Sequence, residues 1–290
     1  MSAKIASAPI SWGVIEVPDW GLQLKPERVL REMTELGITA TEFGPEGFLP
    51  ADPQGRVDTL KAYGLQAVGG FFPSILHKQD EDPIPAIEQE LEAYVAAGAN
   101  VLVLSADTGL GGYDERPQLS DAEWATLLNN LDRAVAVAEN MGVTAVLHQH
   151  MGTLVQTPEE TRRVLNNSKI GLCLDTGHYA LGGGDSVELL ASYADKVHHV
   201  HLKDVSFAVA NRVKSGEIDY REGVRQGMYQ ALGAGDARVR EVIESLEKSG
   251  YNGWYVLEQD YVLAMESDAE RAYEDAKKSI EFIREAVGDE

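Results

Sequence analysis

Four apolar runs in this sequence end in a side chain that can bind a metal or move a proton. VTAVLH (143–148) ends in His148 and IGLCLD (170–175) in Asp175; KVHHVHLKD (196–204) carries His201, and GWYVLEQD (253–260) carries Glu258. Two imidazoles and two carboxylates form a mixed nitrogen–oxygen donor set. Such a set suits Mn²⁺, Co²⁺, Fe²⁺ or Zn²⁺ better than it suits Ca²⁺, which prefers oxygen alone. Each residue also has a plain structural role. A strand-end histidine can cap a core, Asp175 in LDTGH can start a turn or cap a helix, and Glu258 can pair with a lysine. Recurrence on four consecutive runs is what favours a metal centre.

Other ionisable residues cluster around these four in sequence. His150 lies two residues past His148, on the same face if the strand continues. His178 follows Asp175 by three residues, Lys203 follows His201 by two, and Asp260 follows Glu258 by two. A buried lysine can donate a proton or hold an oxyanion. His199 points with His201 from deeper in the strand, as a core residue or one that orients a ligand; His198 is expected to pack against a helix. Glu42, ending an apolar run at TEFG, needs a partner, and Lys203 is a candidate. Trp12 in SWG is either core or a wall for a sugar ring. Cys173, inside its run, reads as a small buried hydrophobe.

The elements that must position these residues alternate. Short apolar runs at 4–10, 39–44, 65–72, 100–106, 143–148, 170–175, 196–204 and 253–260 read as strands. Between and after them, 25–38, 56–65, 83–99, 120–142, 157–167, 185–194, 236–250 and 267–287 have helical spacing. Thr157-Pro158 is an N-cap and first-turn pair, Ser120 an N-cap, and Gly98 a helix-ending glycine. Most strands look apolar on both faces, as parallel strands do. Eight βα units predict an α/β fold, a single (β/α)₈ TIM barrel spanning 1–290, with active-site residues at the C-terminal strand ends. An open doubly wound sheet competes less well, because no G-x-G-x-x-G follows the first strand. Residues 205–235 form one long connection after the seventh strand, of the length that often makes lids.

Composition narrows the chemistry. The 290 residues carry 25 basic and 47 acidic side chains, a formal charge of −22. So acidic a surface disfavours nucleic acid and anionic membranes, and leans towards a neutral or cationic substrate. A single cysteine rules out an internal disulfide and suits a reducing cytoplasm, the expected location. No apolar run is long enough to span a bilayer. G-x-S-x-G, Walker and H-E-x-x-H motifs are absent, and GGGD (182–185) reads as a turn.

LCLDTGH (172–178), HHVHLKD (198–204) and VLEQD (256–260) resemble the xylose-isomerase-like TIM barrel superfamily of sugar isomerases, ketose 3-epimerases and endonuclease-like members. APISWGV (8–14), TEFGPEGFLP (41–50) and LHQHMGT (147–153) look most like its inosose dehydratase branch. The resemblance runs from residue 8 to about 260. It implies a divalent metal, typically Mn²⁺ or Co²⁺, on His148, Asp175, His201 and Glu258. It further implies a small keto-cyclitol or keto-sugar substrate, a hydro-lyase reaction of inositol catabolism, and a homo-oligomer. Glu258, His150, His178 and Lys203 are then the acid–base candidates; Trp12, Glu42, His150 and Lys203 are the substrate contacts. The isomerase and epimerase relatives carry a glutamate where this chain has His148. Losing that second carboxylate weakens reprotonation of the opposite face, a step a lyase does not need. A ketose isomerase or epimerase is the alternative. A multi-metal nuclease conflicts with the charge, and a non-catalytic sugar-binding barrel has no dedicated motif.

Overall fold

In the computed structural model, residues 4–110 and 113–288 are described, so the outermost residues of the 1–290 domain expectation lie outside them. Nine parallel strand segments form one sheet: β1 (Lys4–Ser7), β2 (Ala40–Thr41), β3 (Gln66–Ala67), β4 (Gly69–Ser74), β5 (Val101–Ala106), β6 (Thr144–His148), β7 (Gly171–Asp175), β8 (Val197–Leu202) and β11 (Trp254–Leu257), in the order β3-β2-β1-β11-β8-β7-β6-β5-β4. A two-stranded antiparallel ribbon, β9 (Asp204–Val205) with β10 (Tyr229–Gln230), lies outside it. The order returns to its start, because β3 and β4 are halves of one run broken at Val68. Val68 N–H donates to Thr41 O, Val101 N–H to Val68 O, and Phe43 N–H to Gly69 O, which nearly closes an α/β TIM barrel. The expected third strand is therefore two segments. Gly69 permits the closure: a Cβ there would lie 1.9 Å from Val101 O.

Helices α1 (Pro26–Glu35), α2 (Pro53–Ala62), α3 (Ile84–Ala97), α4 (Asp121–Asn140), α5 (Pro158–Asn167), α6 (Thr176–Leu181), α7 (Ser186–Tyr193), α8 (Phe207–Lys214), α9 (Tyr220–Arg225), α10 (Val239–Ser249) and α11 (Asp268–Val287) follow or separate the strands. Ser120 and Thr157 make full capping boxes with Glu123 and Glu160, and Gly98 ends α3 with φ 75°, as their sequence positions require. α2 begins three residues earlier than its apolar spacing suggests. Asp52 accepts the N–H of Gly55, and Pro53 is preset for a first turn. None of the described helices is long and apolar enough to cross a membrane.

Alternation sorts the strand residues. One buried cluster fills the barrel interior with Ala6, Ala40, Val101, Val103, Val146, Cys173 and Val256. Two residues beyond Ala40, Val146, Cys173 and Val256 come Glu42, His148, Asp175 and Glu258, and His201 stands two beyond His199. The same inward face thus turns from apolar to ionisable at its C-terminal end, all in buried positions. A second, larger cluster lies between strands and helices.

The long connection at 205–235 is not irregular. It contains α8, α9 and β10, and returns to pair with β9. Asp204 fixes its exit, accepting from the N–H groups of Gly233, Gly235 and Ala237.

Candidate metal centre

His148, Asp175, His201 and Glu258 each present a donor atom within 4.8 Å of the others, and all four are buried. The neighbouring hydrogen bonds decide which atoms face inward. His148 Nδ1–H donates to Gln149 O at 2.9 Å, leaving the Nε2 lone pair 3.8 Å from Asp175 Oδ2. Asp175 caps α6 with Oδ1, which accepts the N–H of His178 at 2.7 Å. The structural and chemical roles expected of Asp175 thus fall on different oxygens, and Oδ2 has no hydrogen-bond partner. His201 Nε2 lies 2.9 Å from Glu42 Oε1, which turns Nδ1 towards Glu258 Oε2 at 3.2 Å. Two imidazole nitrogens and two carboxylate oxygens that converge in this way offer the donor set of a divalent cation. The cluster therefore fits a divalent ion and can hold one. Glu42 fixes the orientation of the His201 ring, as an outer carboxylate does for a histidine that can ligate.

Charge in this interior is unevenly matched. Burial alone would raise Glu42 and Glu258, but the charges of nearby His201 and, for Glu258, Lys203 hold both below the usual carboxylate range. Burial outweighs the opposing lysine at Asp175 and pushes it up to about 6; Asp260 is also raised by burial. His201 is raised despite burial, by Cys173 first and then by Glu258 and Glu42, which flank it. Burial depresses His148 and His178, and lowers His150 to about 3. These three imidazoles are neutral at physiological pH. Cys173 forms another donor triad with His199 and His201, but burial pushes its thiol up to about 12, so it stays protonated.

A model of the family described as "xylose isomerase-like TIM barrel" matches residues 30–286. The chain belongs to this family. The rhizopine catabolism protein MocC of Rhizobium meliloti is 35% identical over 271 residues, covering 90% of this chain and 82% of the relative. An inosose dehydratase of Geobacillus thermodenitrificans is 31% identical over 298 residues, covering 98% and 97%. Among solved structures, an IOLI protein with bound zinc superposes with a TM-score of 0.70 at 14% identity, covering 98% of both chains, and so shares the fold. Membership of this xylose isomerase-like family implies an enzyme acting on a small sugar-like substrate.

Beside the four donors this family member buries a lysine. Lys203 Nζ lies 2.8 Å from Asp260 Oδ1, 3.1 Å from Glu258 Oε2, 3.1 Å from His178 Nε2 and 3.5 Å from Asp175 Oδ2. The partner expected for Glu42 is therefore wrong: Glu42 is engaged by His199 and His201, and Lys203 by the carboxylates of other strands. Thr176 fixes the lysine's backbone, donating to Lys203 O and accepting from Lys203 N–H. A Cβ on Gly177 would sit 2.7 Å from Lys203 Cγ, which explains the glycine of LDTGH. Gly177→Ala is expected to lower kcat by about 10- to 100-fold, the scale of a roughly 1 Å misplacement. Steady-state kinetics beside an unchanged far-ultraviolet circular dichroism spectrum checks this.

His150 reaches the site from a turn, since β6 stops at His148. Its Nδ1–H donates to Met151 O, and its ring stacks on His178 with centroids 3.7 Å apart. His178 is not in a loop, as expected, but in the short α6. Trp12 is not a wall of the site. Pro9 ends β1 early and starts a 3₁₀ turn, and the fully buried indole donates to Glu32 of α1 at 2.7 Å. His198 does not pack against a helix either; it is exposed on the outward face of β8, beside Gly171.

Four residues of this neighbourhood went unnoticed in the sequence. Tyr220 and Tyr229 come from the insertion after β8, Tyr113 from the connection after β5, and Glu16 from the connection after β1. Tyr113 packs on His150 and Tyr220, with centroids at 4.8 and 5.4 Å, and donates to Glu16. The hydroxyls of Tyr220 and Tyr229 are 2.6 Å apart; one reaches Asp260 and the other His178. The insertion thereby roofs the cluster. Its clue was length: an insertion at the C-terminal face that carries aromatic residues.

Proposed function

We propose that this chain is a metal-dependent hydro-lyase that removes water from 2-keto-myo-inositol or a close keto-cyclitol. The observation that carries this reading is the pairing of one carboxylate with one ammonium, Glu258 Oε2 and Lys203 Nζ at 3.1 Å, where His148 stands in place of a second acid–base carboxylate. The similarity to inosose dehydratases over nearly the whole chain supports the substrate class.

His148, Asp175, His201 and Glu258 would hold the ion, with Mn²⁺ or Co²⁺ matching the donor set best and Fe²⁺ or Zn²⁺ compatible with it. When bound, the ion supplies Lewis acidity, which makes a proton beside a ketone easier to remove. Glu258 stays ionised and takes that carbon-bound proton. Lys203 stays protonated and gives a proton to the β-hydroxyl, which leaves as water; the enol then relaxes to a diketone. Both groups act from one face of the ring. His150 and His178 are neutral, so they serve as hydroxyl contacts and reserve bases rather than acids. Glu42 acts through His201, and Trp12 has no contact role.

Metal-stripped protein, assayed on 2-keto-myo-inositol before and after Mn²⁺ or Co²⁺ is added back, tests the reading by ultraviolet absorbance of the conjugated enol product. Growth of absorbance only with metal is expected. Exchange of carbon-bound protons without water loss would instead establish an isomerase or epimerase.

A further inference from the structure

Lys203 has more partners than an ammonium has protons. Four atoms surround its Nζ, Asp260 Oδ1 at 2.8 Å, Glu258 Oε2 and His178 Nε2 at 3.1 Å, and Asp175 Oδ2 at 3.5 Å, and neither Asp260 Oδ1 nor Asp175 Oδ2 has a hydrogen-bond partner. These partners fall into two groups. Glu258 and Asp175 are donors of the metal cluster. Asp260 and His178 are not, and they are held from behind: Tyr220 donates to Asp260 Oδ2 at 3.2 Å, Tyr220 and Tyr229 share a 2.6 Å bond, and Tyr229 meets His178 Nδ1 at 3.4 Å. Lys203, Asp260, Tyr220, Tyr229 and His178 thus close a ring of polar contacts, each member buried.

We propose that Lys203 is a place-holder cation for the metal site: its ammonium neutralises Glu258 and Asp175 in the metal-free protein, and it yields both oxygens to an incoming divalent ion while the ring retains it through Asp260 and His178. The inference rests on the metal reading above. Without a cation, the cluster would bury carboxylates facing one another, which is costly. With an ion present, the ammonium stands a few ångströms from a second positive centre, and like charges in a water-poor interior repel strongly. Lys203 therefore stabilises the empty site and weakens metal binding. A merely structural lysine that held Glu258 and Asp175 in position would do the reverse, because its loss would scatter the ligands.

The test is titration calorimetry of metal-stripped protein with Mn²⁺, Co²⁺ and Zn²⁺, for wild type, Lys203→Met and Lys203→Arg, with thermal melting beside it. Lys203→Met is expected to bind at least ~10-fold more tightly, at the lower edge of the range for changes around a metal's ligands. Its metal-free melting temperature should fall, and its metal-induced rise should exceed that of wild type. Lys203→Arg keeps the charge and should bind no more tightly than wild type. Equal or weaker binding by Lys203→Met overturns the proposal. If that variant does not fold, Lys203→Gln carries the same comparison. Wild-type protein that takes up none of the three ions sinks the metal reading itself, a result distinct from the first.

Discussion

Asp175→Asn is expected to abolish measurable turnover and to weaken Mn²⁺ binding by more than ~100-fold, beyond the 10- to 100-fold typical of changes to residues that only support a ligand. The argument turns on the division of labour between its two oxygens. Oδ1 caps α6 through the N–H of His178, and an asparagine carbonyl can keep that bond. Oδ2 faces His148 Nε2 without a hydrogen bond, and an amide NH₂ there would present protons to the cation. The fold should therefore survive. Burial already disfavours the ionised form of Asp175, so the metal-free variant should melt at or above the wild-type temperature. Calorimetry, melting with and without Mn²⁺, and the absorbance assay together check this. A variant that loses turnover but still gains wild-type stability from Mn²⁺ would place the ion elsewhere.

The barrel was legible because two periodicities do different work. Period two in the strands sent the small residues Ala6, Val146, Cys173 and Val256 inward, and the same count carried His148, Asp175 and Glu258 to the rim. Helix boundaries were clear where a side chain caps the backbone, as at Ser120 and Thr157. Features that depend on tertiary closure were not. The break at Val68 comes from neighbours on both sides that claim different halves of one strand. The six-residue α6 is shorter than any window in which helical periodicity registers, and it exists because Asp175 caps it.

The candidate site divides along the same line. Residues on strand ends were found by spacing, and the structure brings His148, Asp175, His201, Glu258, Lys203, His150, His178 and Glu42 together. Trp12 was misplaced because Pro9 turns the chain before the strand reaches it. Tyr113 and Glu16 sit in irregular connections, and Tyr220 and Tyr229 in a six-residue helix and a two-residue strand, all too short for a period to mark a face. Their role emerges only when the connections fold over the barrel mouth and their hydroxyls meet Asp260, His178 and one another.

Replacing Glu258 by glutamine separates the proton-accepting role from the ligand role. Glu258 Oε2 contacts His201 Nδ1 and Lys203 Nζ, so this oxygen faces the cluster. Burial would raise this carboxyl, but the charges of His201 and Lys203 overcome it, so the group is an ionised base near neutral pH. Glutamine keeps an oxygen donor and nearly the same shape, yet it cannot accept a proton. Glu258→Gln is therefore expected to retain metal with reduced affinity and to lose about 10²- to 10⁴-fold in kcat, the range of general base catalysis. Exchange of the substrate's α-proton with deuterated solvent should fall in parallel with turnover. That readout distinguishes the base from a residue that only holds the ion: a pure ligand defect would recover at saturating Mn²⁺, whereas loss of the base would not. Full turnover by metal-loaded Glu258→Gln would transfer the base role to His150 or His178, whose neutral imidazoles stack on one another.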